Sequence, residues 1–357
     1  MLEAKFSGSS EEALPPFPDP EVSSITLEGK PGARIAYTYY PASASKPSHL
    51  NPFSKSLVVF LNGMVQPRAS WNAAINIFHE KQITNRLPYP ALLTYDRYGQ
   101  GDSDRDPDDP PADGPAHGHD VMSVVHVLYQ FTQQIWKEHL DPTDSPCFIF
   151  VGNSIGCAIG RLFAQTYPGT VLGLMFLDSV IANTDFVSLW PDPDAPLFNP
   201  SILPPSTTAG DIRSARTNMS RMFHPDVPSR EGLSRRNLPK LLPDANGPKL
   251  EGYHSEGPYV TVVGHDWETF ALQTEKGMMK VPQLLTMTYV NPVWQKYNEG
   301  LTKITDQGKA IGPLIAVGSG HFVQVDQPGF VADELVSLLD RVVNQVKHVY
   351  VTDAIDA

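Results

Sequence analysis

Six short apolar runs, each parted from the next by a segment long enough to hold a helix or more, constrain this chain more than anything else in it. They are SLVVFL (56–61), ALLTY (91–95), CFIFVG (147–152), VLGLMFL (171–177), YVTVVG (259–264) and PLIAVG (313–318). A strand apolar throughout is buried on both faces, which calls for a parallel sheet with helices above and below it. The intervening sequence supplies such helices. HDVMSVVHVLYQFTQQIWKEH (119–139) repeats apolar residues at three and four, RLFAQTYP (161–168) stops at a proline, and VADELVSLLDRVVNQV (331–346) follows Pro328 and Gly329. Ahead of them, SITLEGK (24–30) and ARIAYTYY (33–40) alternate apolar and polar residues across a short glycine-containing turn, which predicts an antiparallel hairpin. The expected class is α/β, with a mostly parallel eight-stranded sheet.

One connection breaks the rhythm. Residues 178–258 carry helical pieces (DIRSARTNMSRMF, REGLSRRNLPKLL) and many prolines, and so long a link is not expected to be bare loop. The reading is a helical cap insertion at 181–256 over the carboxyl edge of the sheet, carrying apolar Phe186, Leu189, Trp190, Leu197, Phe198, Met219, Met222 and Phe223. The core would then be 23–180 and 257–357, preceded by a polar, proline-rich arm at 1–22 without periodicity.

Charge narrows the partners. With 27 Lys+Arg against 39 Asp+Glu, the chain has a net charge of −12 and no basic cluster fit to neutralise a run of phosphates. Nucleic acid and anionic lipid are poor partners. No apolar run reaches the roughly 18 residues of a membrane span, and the first residues lack the basic start and apolar core of a signal peptide. The terminal DAIDA is not a peroxisomal tripeptide. A cytoplasmic protein is the expectation. Cys147 and Cys157, at a strand start and on the helix that doubles back from it, should lie on the order of 10 Å apart, too far to bridge, and read as buried thiols.

The strongest chemical signal is Gly152-Asn153-Ser154-Ile155-Gly156, directly after the strand CFIFV and directly before a helical pattern. In that setting flanking glycines serve a serine held in a strained turn, above the sheet and beside a helix N-terminus that favours an anion. A serine nucleophile needs a base. Of the eleven histidines, His321 alone sits just past the carboxyl end of a late strand, where an open parallel sheet presents its chemistry. His117 and His119 lack third and fourth metal partners in sequence and read as a polar approach to a helix, so no metal is expected. Met278, Met279 and Met287 read as core.

Further pieces carry a resemblance. Asn62-Gly63-Met64 follows SLVVFL, Asp96-Arg97-Tyr98-Gly99-Gln100-Gly101-Asp102-Ser103 follows ALLTY, and Gly320-His321-Phe322 lies near the end. With the serine turn, these make the chain resemble the α/β-hydrolase superfamily over residues 24–347 outside the cap, and its fungal secondary-metabolism branch in texture. Asn62 departs from the family's usual histidine. The resemblance implies hydrolysis of an ester-like bond without a cofactor, and an oxyanion hole formed by the backbone N–H groups of Ile155 and Met64. The Asp96–Ser103 turn reads as scaffold.

Two aspartates compete for the acid of the triad. Asp178 ends the strand after the serine turn, 24 residues past Ser154, a position from which some family members supply it. Asp266 follows the strand that supplies it in most members, but lies 55 residues before His321, about twice the family's usual gap. Asp178 is favoured, and Glu268 is a third, remoter candidate. Serine at the turn, where related dehalogenases and epoxide hydrolases carry aspartate, speaks against those chemistries. The expected substrate is a bulky hydrophobic ester, lactone or thioester, touched by Gly63, Phe186, Leu189 and Trp190. The competing expectation is the same fold without hydrolysis, as a lyase, cyclase or ligand-binding protein. The oligomeric state stays open.

Overall fold

The computed structural model describes residues 14–44, 51–143 and 145–353, with side chains as far as 343. Residues 1–13 of the expected arm and 354–357 of DAIDA lie outside the described residues. β1 (Glu21–Thr26), β2 (Arg34–Tyr40), β3 (Ser56–Leu61), β4 (Ala91–Tyr95), β5 (Cys147–Asn153), β6 (Val171–Leu177), β7 (Tyr259–His265) and β8 (Ala310–Ala316) form one sheet in the order β1-β2-β4-β3-β5-β6-β7-β8. β1 and β2 make the predicted hairpin, β2 joins β4 antiparallel, and all other pairings are parallel. β1 starts at Glu21, so the last two residues of the expected arm belong to the sheet.

Alternate residues of the central strands feed opposite cores, which is why their sequences are apolar throughout. Val59, Leu61, Phe150, Leu174 and Val262 face one side, with α2 (Val121–His139) and α3 (Ile155–Thr166). Val58, Phe60, Ile149, Val151 and Met175 face the other, with α1 (Asn72–Thr84) and α10 (Pro328–Asp353). Each fully buried large apolar side chain contributes about 1.5–3 kcal/mol relative to exposure. Cys147 and Cys157 are both buried, as expected. Among the described residues no helix is long and apolar enough to cross a membrane.

Between β6 and β7 lie α4 (Ala209–Met222), opened by a capping box of Thr208 and Asp211, and the single turn α5 (Leu238–Leu241). The expected helix over 230–242 is therefore mostly absent. Ser229 and Ser234 instead make bridges to Ala116 and Asp120, and Glu231 is drawn into a buried pair with Arg97, which holds the segment irregular. Trp190, Ile212, Met219, Leu233, Leu238 and Leu250 of this connection join the same core cluster as α2 and α3. Leu197 is almost fully exposed. After β7 come α6 (Trp267–Lys276), α7 (Gln283–Leu285), α8 (Asn291–Leu301), and, past β8, α9 (Val323–Asp326). β8 begins three residues before the apolar run PLIAVG, because it pairs only with β7 and an edge strand tolerates Pro313 within it. Met278 is exposed, against the reading of it as core, while Met279 packs on the core cluster.

Candidate active site

β5 ends at Asn153 and α3 begins at Ile155, leaving Ser154 alone in the turn at φ 55° and ψ −120°. Such a conformation costs a residue with a side chain on the order of 1–3 kcal/mol. The turn is tight because strand and helix nearly touch. A Cβ on Gly156 would lie 2.1 Å from the Leu61 carbonyl oxygen, and one on Gly152 2.7 Å from the Gly156 carbonyl carbon. Among the described residues Ser154 Oγ has no hydrogen bond, to His321 or otherwise. Contacts of this kind are often long before substrate binds.

The ends of β6 and β7 and the loop after β8 deliver the other groups. Just past β6, Asp178 adopts φ 46° and donates its N–H to Val263 O at 2.8 Å. The chain then turns back to the serine, with Val180 N donating to Ser154 O at 3.2 Å. Asp178 is fully buried, with Oδ2 2.6 Å from His321 Nδ1 and Oδ1 2.8 Å from His265 Nδ1. Burial alone would raise its pKa, but the two imidazoles outweigh burial and hold it down to about 2. His321 is anchored through its carbonyl, which accepts from Asn153 Nδ2 at 2.9 Å; the same amide reaches Leu177 O at 3.0 Å. Trp294 stands edge-on to His321 at 5.5 Å between ring centroids and donates Nε1–H to Ser179 O at 2.7 Å.

Asp266, the alternative acid, is occupied elsewhere. It caps α6, with Oδ1 accepting the Glu268 and Thr269 amides at 3.1 and 3.0 Å and Oδ2 accepting Gly318 N at 3.1 Å. Those amides hold its carboxyl below the usual range. Glu268 is exposed on the first turn of the same helix.

On the third side, Ile155 occupies the first position of α3, where a backbone N–H has no intrahelical acceptor. A Cβ on Gly63 would come within 3.4 Å of Ser154 Cβ, so the loop after β3 passes against Ser154. That loop is held by its carbonyls. Arg97 donates to Asn62 O at 2.6 Å and to Gly63 O at 3.1 Å, and Gln100 Nε2 to Gly63 O at 2.9 Å. In a trans peptide this points the N–H of Met64 away from Arg97 and Gln100. Asn62 itself accepts from Trp71 Nε1 at 2.8 Å and donates to Tyr95 O and Gln100 Oε1 at 2.8 and 3.0 Å, stitching β3 to the turn after β4.

Residues 58–334 match the profile of the Alpha/beta hydrolase family. The chain belongs to that family. No curated protein sequence matches this hydrolase-family chain. Solved structures similar to it include an epoxide hydrolase from Vigna radiata, with 11% identity, a TM-score of 0.51, and 90% of this chain and 98% of that one covered. A candidate lipase from Acinetobacter baumannii aligns with 15% identity and a TM-score of 0.50 over 91% of this chain and 93% of that one. At these identities the likeness is one of fold.

In this alpha/beta hydrolase the substrate-side expectations divide. Gly63 abuts the serine. Phe186 and Leu189 are partly buried against the core cluster, and Phe186 packs on Phe223 at 6.0 Å. Trp190 is only 2% exposed and packed within that cluster, so here it is a packing residue and not a free pocket wall. His119 does not stand alone: its Nδ1 lies 3.0 Å from Asp109 Oδ2 and 3.8 Å from Asp106. The structure thus corrects the sequence reading that His119 has no further ligand-type partners, since Asp106 and Asp109 stand beside it, while the ammonium of Lys30 pairs with Asp106 and Asp108 and neutralises part of this acidic group. Sequence reasoning missed His265, Asn153, Trp294 and Glu231. Asn153 alone carried a signal, as the variable residue inside the serine motif.

Proposed function

We propose that this chain is a serine hydrolase that transfers an acyl group to water, and that its substrate is an ester, lactone or thioester of a bulky hydrophobic small molecule. The observation that carries the reading is a serine held at positive φ between strand and helix, with a buried aspartate past the adjacent strand that is bonded to a histidine from the loop after β8. His321 takes the proton of Ser154 as Oγ attacks the carbonyl carbon. Asp178 accepts the Nδ1–H, keeps Nε2 free as the base, and stabilises the imidazolium that forms. The tetrahedral oxyanion is held by the N–H groups of Ile155 and Met64, helped by the positive end of α3. His321 then hands its proton to the leaving alcohol or thiol, and a water repeats the sequence on the acyl-enzyme.

The insertion at 181–256 is read as a cap whose apolar side chains, Phe186 and Leu189 among them, face the acyl or alcohol portion. A lactone or polyketide-like ester of secondary metabolism suits such a site better than a small polar amide. Epoxide opening, the chemistry of the Vigna radiata neighbour, is disfavoured by Ser154 in place of a nucleophilic carboxylate. The test is hydrolysis of p-nitrophenyl esters of rising chain length, macrolactones and acyl thioesters, with fluorophosphonate labelling in parallel. Ser154→Ala and His321→Ala should each lower kcat by on the order of 10³ to 10⁶ with the fold intact. A wild type that neither turns over nor takes the label would replace this reading with a non-hydrolytic one.

A further inference from the structure

Asp178 carries two imidazoles, and the mechanism above uses one. The second, His265, is the last residue of β7 and is buried. Its Nδ1 lies 2.8 Å from Asp178 Oδ1, and its backbone N–H reaches the same oxygen at 3.3 Å. Nε2 lies 3.2 Å from Asn291 Oδ1. The Asn291 amide is oriented by its nitrogen, which donates to Trp267 O at 3.1 Å, so its oxygen is the atom that faces the ring. His265 therefore meets an acceptor at each nitrogen, and a neutral imidazole has only one N–H to give. The ring stacks on Phe270 at 4.1 Å and meets Trp294 edge-on at 5.2 Å, which leaves it little freedom to turn.

We propose that His265 is a positioning residue, protonated on both ring nitrogens, that fixes the Asp178 carboxylate so that Oδ2 is presented to His321. The proposal rests on the acyl-transfer reading of Ser154, His321 and Asp178. A carboxylate with one partner can pivot about its Cβ–Cγ bond, whereas one bonded through both oxygens offers His321 an acceptor in a single place. The charge on His265 also balances that of Asp178 inside the protein, so the acid is not an isolated buried anion while His321 is neutral. The titratable groups around His265 are Asp178, His321 across that carboxylate, and Asp266 next in the chain. Burial works against the charge on His265, and the Asp178 carboxylate, the Asn291 amide oxygen and Asp266 together outweigh it and raise the pKa.

The experiment uses the full chain labelled with ¹⁵N-histidine at pH 8, above the ordinary histidine value of about 6.5. The expected spectrum has a ring with both nitrogens protonated that disappears in His265→Gln. A neutral pattern for that ring overturns the proposal. Kinetics on a p-nitrophenyl ester supply the second readout. His265→Phe, which keeps a ring without donors, should lower kcat about 10- to 100-fold with KM within about twofold, and His265→Gln, which keeps one amide donor, should recover part of the loss. A folded His265→Phe or His265→Gln with wild-type kcat overturns the proposal, and the glutamine variant decides should the phenylalanine one fail to fold. Absent turnover and absent fluorophosphonate labelling in the wild type would count against the acyl-transfer reading instead, and the nitrogen spectrum would still decide the state of His265.

Discussion

Replacing Asp178 by asparagine keeps the side chain's shape and removes an acceptor that two histidines need. The carboxylate accepts from His265 at 2.8 Å and from His321 at 2.6 Å, whereas asparagine offers one oxygen and one NH₂ group. His265 is held on its far side by Asn291 and keeps the oxygen, so the NH₂ group faces His321 Nδ1. That contact favours the tautomer with its proton on Nε2, which cannot take the proton of Ser154. Losing the tautomer and the stabilised imidazolium costs such a triad on the order of 10⁴ in kcat, or about 5.4 kcal/mol of transition-state stabilisation. The expected loss is about 10³- to 10⁴-fold. Asp266→Asn is the matched control. Its oxygen still accepts the Glu268 and Thr269 amides, asparagine caps helices about as well as aspartate, and activity should stay within about threefold of wild type. Both variants would be assayed on p-nitrophenyl esters at pH 8, with circular dichroism and thermal melts to verify folding. A folded Asp178→Asn within tenfold of wild type, or an Asp266→Asn equally inactive, would refute the assignment.

Glu231 and Arg97 form a buried pair that ties the β6–β7 connection to the loop beside the serine. Breaking a buried pair costs about 3–5 kcal/mol, so Glu231→Gln, which keeps one acceptor, should lower urea stability by somewhat less, about 2–4 kcal/mol, and an unchanged midpoint would contradict this. Asn153→Ala removes the bonds to Leu177 O and His321 O; kcat should fall by about tenfold with KM steady, and an unaltered kcat would show that the His321 loop holds its place without them. Stability should depend on pH through the Asp178–His265 pair. Asp178 is depressed from 3.8 to about 2, so its contribution of about 2 kcal/mol is present above 3.8 and is lost as pH falls toward 2. His265 is raised, so its share is present below 6.5 and fades as pH rises through its higher folded value. Urea titrations at pH 2.5 and 5.5 should differ by about that amount, and a difference of the same size in Asp178→Asn would assign it to other groups.

The parallel strands β3 to β7 are legible in the sequence because burial on both faces leaves them few polar positions, and helix-length spacers admit little else; edge strand β8 is as apolar, though only its last residue is buried. Residues 230–242 depart from the helix their composition predicts because their conformation is decided by partners far away in sequence, Arg97 for Glu231 and the 116–120 segment for Ser229 and Ser234. The same distinction runs through the site. Ser154 and His321 announce themselves locally, by flanking glycines and by a strand end, whereas His265 becomes visible only when β6 and β7 pair and bring it to Asp178. Spacing to Ser154 and His321 separates the two aspartates poorly, because the loops can absorb it. What separates them physically is whether the carboxylate is free to serve a side chain. Asp266 is followed by Glu268 and an apolar helical pattern, the signature of a helix start, and a carboxylate that starts a helix is already committed to backbone amides. Asp178 ends a strand at positive φ with no helix behind it to cap, so both its oxygens remain for imidazoles. The local sequence after each aspartate therefore holds more information about the acid than its distance from the histidine.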